Sequence, residues 1–300
     1  MKAARFDYIR PRTVQEVLDH LAEHGDEAKV IAGGQSLVPT MNVRLAAPAV
    51  LIDINHVEEL SGIEADKGTL RIGALTRHAE IAASETVAAH APLLSMAAPW
   101  IAHEAIRNRG TFGGSLATAD PASEWPACAT VLDATIHLVS ARGTRQVAAG
   151  DFFQGVYETA IEPDELLTHV EIPAIGEGYR AGFSEFARRK GDYASVGVAV
   201  QGRVGASGAI GRLLKRGEGR LHDLRIAFFG VAARPMLATA AAAALEEQPL
   251  DESTLKAAQE ALPTDFTPME DLYMSSAAKA HLARVLLGRV MTTLYHGEGR

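Results

Sequence analysis

Two pairs of adjacent glycines carry the first chemical signal in this chain. Gly33-Gly34 and Gly113-Gly114 each follow apolar sequence and each lead into a hydroxyl residue, Ser36 and Ser115. Adjacent glycines let a backbone approach a ligand closely and turn successive N–H groups toward one point, which suits a pyrophosphate anion. The hydroxyls of Ser36, Thr111 and Ser115 offer further donors to the same anion. Double glycines also mark plain turns, so spacing alone leaves both readings open. Neither pair fits G-x-G-x-x-G or G-x-x-x-x-G-K-[ST], which disfavours a Rossmann site and a P-loop.

Other reactive residue types point to less. His20 and His24 stand four apart on one helix, a spacing able to hold a metal ion. Their place near a helix C-terminus, where partial negative charge favours histidine, is the preferred explanation. His103-Glu104 begins like H-E-x-x-H, but Arg107 occupies the place of the second histidine, so a zincin site is absent. Cys128 is the only cysteine and reads as a buried, unreactive thiol. Alone it supports neither an internal disulfide nor an iron-sulfur cluster. The sequence therefore assigns no metal site and no catalytic acid, base or nucleophile. Arg107-Asn108-Arg109 suits either a phosphate or redox partner, or the capping of backbone carbonyls.

The elements that position the glycine pairs follow from the patterning. Thr13 and Glu16 form a T-x-x-E capping box, with Val14, Val17, Leu18 and Leu21 at helical spacing and Gly25 as terminator. A strand over Lys29–Ala32 runs into the first pair, followed by a short helix over Leu37–Leu45 and a strand over Val50–Ile54. Residues Ile63–Ile72 alternate around Lys67-Gly68 as a hairpin, Thr76 opens a helix through Ile81, and a helix kinked or interrupted at Pro99 carries Ile101 to Arg107. The second pair comes next, then a strand over Thr135–Val139. The regular pattern breaks over Pro173–Gly178, which places a domain boundary near residue 177. Beyond it, strands are expected over Gly182–Ala187, Ala194–Val200 and Leu224–Val231, then three helices to about Tyr295. The basic, glycine-rich stretch 201–220 reads as an extended hairpin loop, or as a phosphate-binding or docking loop.

Bulk properties set the frame. A chain of 300 residues suits two domains, and 47% apolar with 22% charged residues is the balance of a globular protein. The net charge of -8 argues against nucleic acid as a partner. No secretory signal and no transmembrane stretch are visible, so a cytoplasmic setting is expected.

Four segments taken in order, KVIAGGQSLVPTMNVRLAAPAVLIDIN, IRNRGTFGGSLATADPASEWPA, DFFQGVYETAIEPDELLTHVEIP and RRKGDYASVGVAV, resemble the FAD-binding medium subunits of molybdenum hydroxylases, the carbon monoxide dehydrogenase and xanthine dehydrogenase family. The resemblance runs from about Phe6 to the final helix. It implies an α+β fold: a vanillyl-alcohol-oxidase (PCMH)-type FAD-binding domain over 1–177, with two α/β subdomains of about 1–56 and 57–177, and a smaller α+β C-terminal domain over 178–300. By the same likeness, Ala32, Gly33, Gly34, Gln35 and Ser36 cradle the FAD pyrophosphate from one side, and Thr111, Gly113, Gly114 and Ser115 from the other. Lys29, Val30 and Ile31 line the adenine half, and Glu124 with Asp120 meets the ribose. Tyr193 packs by the isoalloxazine ring with Lys190 and Asp192 beside it, and His103 is a structural or flavin-side residue. Phe112 and Ser115 depart from the isoleucine and asparagine common in the family, and 201–220 is longer than the usual turn.

What the resemblance implies about function is an electron relay. A large partner subunit holds the molybdenum cofactor and oxidises the substrate, a small partner carries two 2Fe-2S clusters, and FAD in this chain passes electrons to an external acceptor. The assembly implied is a dimer of heterotrimers. The alternatives are a stand-alone flavin oxidase or dehydrogenase and an assembly subunit without flavin.

Overall fold

The computed structural model describes residues 2–205 and 219–297. Strands β1 (Asp7–Ile9), β2 (Ala28–Ile31) and β3 (Val50–Asp53) form a parallel sheet in the order β1-β3-β2. Parallel neighbours need crossovers, and the helix Val14–His24 supplies the first. Thr13 caps it by accepting the Glu16 N–H, and Val17, Leu18 and Leu21 bury its apolar stripe. Glu16 takes the N–H of Arg12 at 2.6 Å, so the reciprocal half of the capping box falls one residue early. β2 delivers the chain to Gly33-Gly34, and the helix that follows is Leu37–Asn42.

The second subdomain is built on β4 (Ile63–Asp66), β5 (Thr69–Gly73), β6 (Thr135–Ser140) and β7 (Gly143–Ala148), with a small hairpin of β8 (Phe153–Gly155) and β9 (Glu158–Thr159), then β10 (Leu166–Pro173). Its antiparallel sheet runs β4-β5-β10-β6-β7. Lys67 and Gly68 both have positive φ, 46° and 83°, as a two-residue hairpin turn requires.

Two expected helices differ. Thr76 does not open one: its hydroxyl donates to the Gly62 carbonyl at 3.0 Å, and the helix is His78–Ala83. The helix expected to be kinked or interrupted at Pro99 is interrupted, into Pro92–Ala97 and a 3-10 turn Ala98–Trp100, and the piece expected over Ile101–Arg107 begins later, as Glu104–Arg107. Ala102 sits at φ 44°, and the Arg107 guanidinium donates to the carbonyls of Ile101 and Ala102 at 2.9 and 2.8 Å. Arg107 thus caps carbonyls freed by the break.

The third sheet is antiparallel, β11 (Tyr179–Phe186), β12 (Val196–Gly205), β13 (Arg220–Phe229) and β14 (Met236–Leu237) in that order. Both faces are covered. Helices Pro92–Ala97 and Glu124–Val131 pack on one, sharing a core with Ala199, Ala227 and Phe229. Helices Thr239–Leu245, Glu252–Asp265 and Ser276–His296 close the other around Val198, Val200, Ile226 and Phe228. Burial on two sides explains why these strands read as continuous apolar runs. Of the segment 201–220, the ends belong to β12 and β13, which pair as far as Gly205 with Arg220. Its middle, 206–218, lies outside the described residues.

Candidate functional site

A cleft of about 680 Å³ opens where β2 and the first glycine pair face the second subdomain. The two pairs meet there but do different work. In the first loop, the N–H groups of residues 33 to 36 find no acceptor among the described residues. The loop's outward carbonyls are taken instead: Ala32 accepts from the Asn55 amide at 2.7 Å, and Gly33 from the Gln35 amide at 2.9 Å. Gly34 has φ 71°, a left-handed residue of the kind that gathers successive N–H groups into an anion-binding concavity.

In the second loop the donors are spent. Phe112 and Gly113 give their N–H groups to the carbonyls of Thr76 and Ala74, both at 2.9 Å. Gly114 gives its own to the Thr111 hydroxyl oxygen at 3.2 Å, because Thr111 is the N-cap of the helix Phe112–Thr118. This loop acts as a wall. A side chain on Gly113 would strike Ala74, and one on Gly33 would strike the Arg109 carbonyl and, at 2.8 Å, the Gly110 Cα. Those two glycines are demanded by close packing on Ala74 and on the Arg109–Gly110 backbone, while a Cβ on Gly114 would press on the capping hydroxyl of Thr111 at 2.6 Å and come within 3.8 Å of Ala32 across the gap.

The loops are joined by residues the sequence did not single out. Arg77 donates to the Arg109 carbonyl and, at 2.7 Å, to Oδ1 of Asn55, whose amide holds Ala32. His78 lines the cleft below them and accepts from the Trp125 indole at 2.9 Å through Nδ1. Burial holds its pKa down at about 4, so it is neutral with the proton on Nε2. Phe112 sits edge-on to Trp125 at 5.5 Å, wholly buried, so its departure from isoleucine is a matter of core packing. Ser115 does face the cleft, with its hydroxyl 2.9 Å from that of Ser123.

Lys29, Val30, Ile31, Ala32, Gln35, Ser36, Thr111, Asp120, Glu124 and Tyr193 all line the cleft with the glycines. Two residues expected there do not. Gly191, at φ 87°, turns the chain so that Asp192 and Tyr193 line the exposed mouth of the cleft while Lys190 stands off it in solvent. His103 packs behind that turn, where a Cβ on Gly191 would come within 2.8 Å of its ring. Tyr157, missed in the sequence, lines the cleft and donates to Asp120 at 3.1 Å. Burial and the Asp120 charge push its pKa up to about 12. Its φ of 56° is the signal in the structure; in sequence it is a tyrosine after Gly155-Val156 with nothing to set it apart.

Two buried carboxyl groups, Glu124, which lines the cleft, and Glu185, which does not, are unusual. Glu124 is almost fully buried, and burial raises its pKa to about 7. Glu185 on β11, equally buried, is raised to about 8 by burial first and by Glu124 second, and its Oε2 has no hydrogen-bond partner. Cys128 beneath them is wholly inaccessible, and burial pushes its thiol up, away from the reactive thiolate. Lys29 is the one lysine or arginine among the described residues lining the cleft. An anion here would be met by backbone N–H groups rather than by cations.

Residues 4–175 match the family described as the FAD binding domain in molybdopterin dehydrogenase, and residues 181–294 that of the CO dehydrogenase flavoprotein C-terminal domain. The chain belongs to this family. It is an FAD-binding medium subunit of the molybdenum hydroxylase type, an electron-transfer component of an oxidoreductase. Among its relatives, the 6-hydroxypseudooxynicotine dehydrogenase complex subunit alpha of Paenarthrobacter nicotinovorans is 37% identical, over 99% of this chain and 96% of that one. The carbon monoxide dehydrogenase structure from Hydrogenophaga pseudoflava superposes with a TM-score of 0.91 at 35% identity, covering 99% of both chains. Quinoline 2-oxidoreductase from Pseudomonas putida 86 does so with a TM-score of 0.90 at 37% identity, covering 100% of both. The medium-subunit fold, with its FAD-binding and C-terminal domains, accounts for the three larger sheets. The cleft suits the cofactor on its own terms: its size is that of a cofactor pocket, and the donor row at residues 33 to 36 is what a pyrophosphate needs.

Proposed function

We propose that the cleft holds FAD with its pyrophosphate on the free N–H groups of residues 33 to 36, and that this observation carries the site assignment. Lys29, Val30 and Ile31 then line the adenine half, Thr111 to Ser115 wall the pyrophosphate, Glu124 with Asp120 meets the ribose hydroxyls, and Tyr193 flanks the isoalloxazine ring. When bound, FAD exchanges single electrons on one side and electron pairs on the other. The chain's own residues bind it, orient it and keep water from it. The division into flavin-binding and C-terminal domains falls near residue 177.

We further infer that the chain works with a large molybdenum-cofactor subunit and a small subunit carrying two 2Fe-2S clusters, as a cytoplasmic dimer of heterotrimers. The chemistry supports this: Cys128, its only thiol, is sealed in the core, so clusters must be held elsewhere. No helix among the described residues is long and apolar enough to cross a membrane. Two of the relatives are named for N-heteroaromatic compounds, which makes that class the first to screen. The test is anaerobic. Adding such a substrate to the co-purified complex should bleach the flavin absorbance, and adding it to the flavin-loaded isolated chain should not. Bleaching of the isolated chain would make it a stand-alone dehydrogenase and overturn the relay.

A further inference from the structure

A second group of side chains lies on the outer face of the five-stranded sheet. The β-strand alternation buries Ile136 and Leu138 of β6 and Val170 and Ile172 of β10, and turns His137, His169 and Glu171 outward. Their meeting depends on an irregularity. The register between β10 and β6 shifts at Thr168, and the extra residue brings His169 directly opposite His137. Bulges of this kind re-aim a side chain at the cost of a ladder hydrogen bond. Glu171, two residues on, shares the face.

The geometry is that of three ligands around one point. The imidazoles stack with ring centres 4.0 Å apart, and their Nε2 atoms approach the Glu171 carboxylate at 3.1 Å from His137 and 4.0 Å from His169. All three ligand atoms lie within 4.8 Å of one another. His169 is oriented from behind by the Thr168 hydroxyl, 3.0 Å from Nδ1, which leaves Nε2 for the shared point. Such a partner on the far nitrogen is what metal-ligating histidines ordinarily have. His137 Nε2 is buried with no hydrogen bond satisfied. Two imidazole nitrogens crowded on one carboxylate are poorly served by protons, since two imidazolium rings in stacking contact repel each other. One divalent cation accepts both lone pairs and the carboxylate at once.

We propose that His137, His169 and Glu171 form a binding site for a divalent transition-metal ion of the zinc class. Two imidazoles and one carboxylate are the donor set that Zn²⁺, Co²⁺ and Ni²⁺ accept and that Mg²⁺ and Ca²⁺ do not favour. A tetrahedral ion with bonds of about 2.1 Å draws its ligand atoms to about 3.4 Å apart, so the side chains close by roughly an ångström on loading. Remaining positions open onto a shallow hollow of about 340 Å³ lined by Thr144, Arg145 and Gln146. Arg71, paired with Glu171 across β5 and β10, is the nearby cation the ion must displace or tolerate. The site bolts β6 to β10. The Thr168 carbonyl also holds the Ala74 N–H at 2.9 Å, and Ala74 holds Gly113, so the bolted strand supports the second glycine loop.

The test uses the untagged full-length chain, stripped with chelator and titrated with Zn²⁺ against a chromophoric competitor, and with Co²⁺ by its visible absorption. The chain also carries His20, Glu23 and His24 together on a half-buried helix face, which provides the internal control. The expected result is one ion lost in H137A/H169A and kept in H20A/H24A, with flavin content unchanged in both. Glu171→Gln, which keeps the side chain's shape, should weaken binding at least about tenfold. It carries the test if the double variant does not fold. Zn²⁺ should also raise the Tm of the wild-type chain and not that of Glu171→Gln. No stoichiometric ion in the wild type, or undiminished binding in Glu171→Gln or H137A/H169A, overturns the proposal.

Discussion

Arg77 donates a hydrogen bond to Asn55 at 2.7 Å, and through this pair each glycine loop is tied to the other. Asn55 holds the Ala32 carbonyl of the first loop and Arg77 the Arg109 carbonyl beside the second, so the cleft's two walls are set by one side-chain bridge. Hydrogen bonds to a charged group contribute about 1.5–3 kcal/mol each. Arg77→Ala should weaken FAD retention at least tenfold, by about 1.4 kcal/mol or more, with secondary structure intact. Flavin released on ultrafiltration, set beside circular dichroism, measures this; wild-type retention would show that the loops are positioned by other contacts.

The glycines should separate by phenotype. Gly33→Ala forces a methyl group against the Arg109 carbonyl, where backbone cannot yield, and should cost about 1–3 kcal/mol of folding stability in urea even without flavin. Gly114→Asp displaces the Thr111 hydroxyl from its cap, places a carboxylate between the loops and should abolish FAD retention. Wild-type flavin content in a folded Gly114→Asp protein contradicts the assigned pyrophosphate position.

Glu185 sets a pH dependence. Its pKa is about 8 in the folded chain against an ordinary 4.5, so between those values the folded state keeps a proton that the unfolded state has released. Stability conferred by the neutral acid is fully present below about pH 4.5 and is lost as pH rises through 8. Glu185→Gln should flatten that decline and leave the smaller contribution of Glu124, which ends near pH 7. Chemical denaturation from pH 5 to 9 compares the slopes; an unchanged slope in Glu185→Gln would place the titration elsewhere.

Tyr193 stands exposed at the cleft mouth, with its hydroxyl interacting with Ser36. As a flat contact beside the flavin ring, its removal should alter the ring's environment more than the grip on the pyrophosphate. Tyr193→Ala is expected to shift the flavin midpoint potential while keeping most of the FAD. Loss of FAD with no change of potential in the remainder would reverse that role.

Much of this arrangement is legible in the sequence, and the gaps have physical causes. Thr13 and the stripe behind it predict the first helix because capping and periodicity are local. The alternation on either side of Lys67-Gly68 predicts its hairpin, with Gly68 supplying a positive φ at no steric cost and Lys67 adopting one beside it. β10, the central strand of the second sheet, goes unread: Thr168, His169 and Glu171 interrupt its apolar pattern, and the shift at Thr168 breaks the two-residue period. The second glycine pair is visible as a motif, but its use as a wall is not, since that depends on Ala74 packing against Gly113 from far along the chain. Arg77, Asn55 and the His137 cluster are products of tertiary pairing. The outward turn of Lys190 hangs on one dihedral angle at Gly191.

The central claim is that this cleft holds a flavin, and it is tested most directly by counting. The natively purified chain, denatured and assayed by absorbance, should release one FAD per polypeptide, and the stripped chain should take one back. A folded chain that releases none and takes up none on reconstitution would contradict the account.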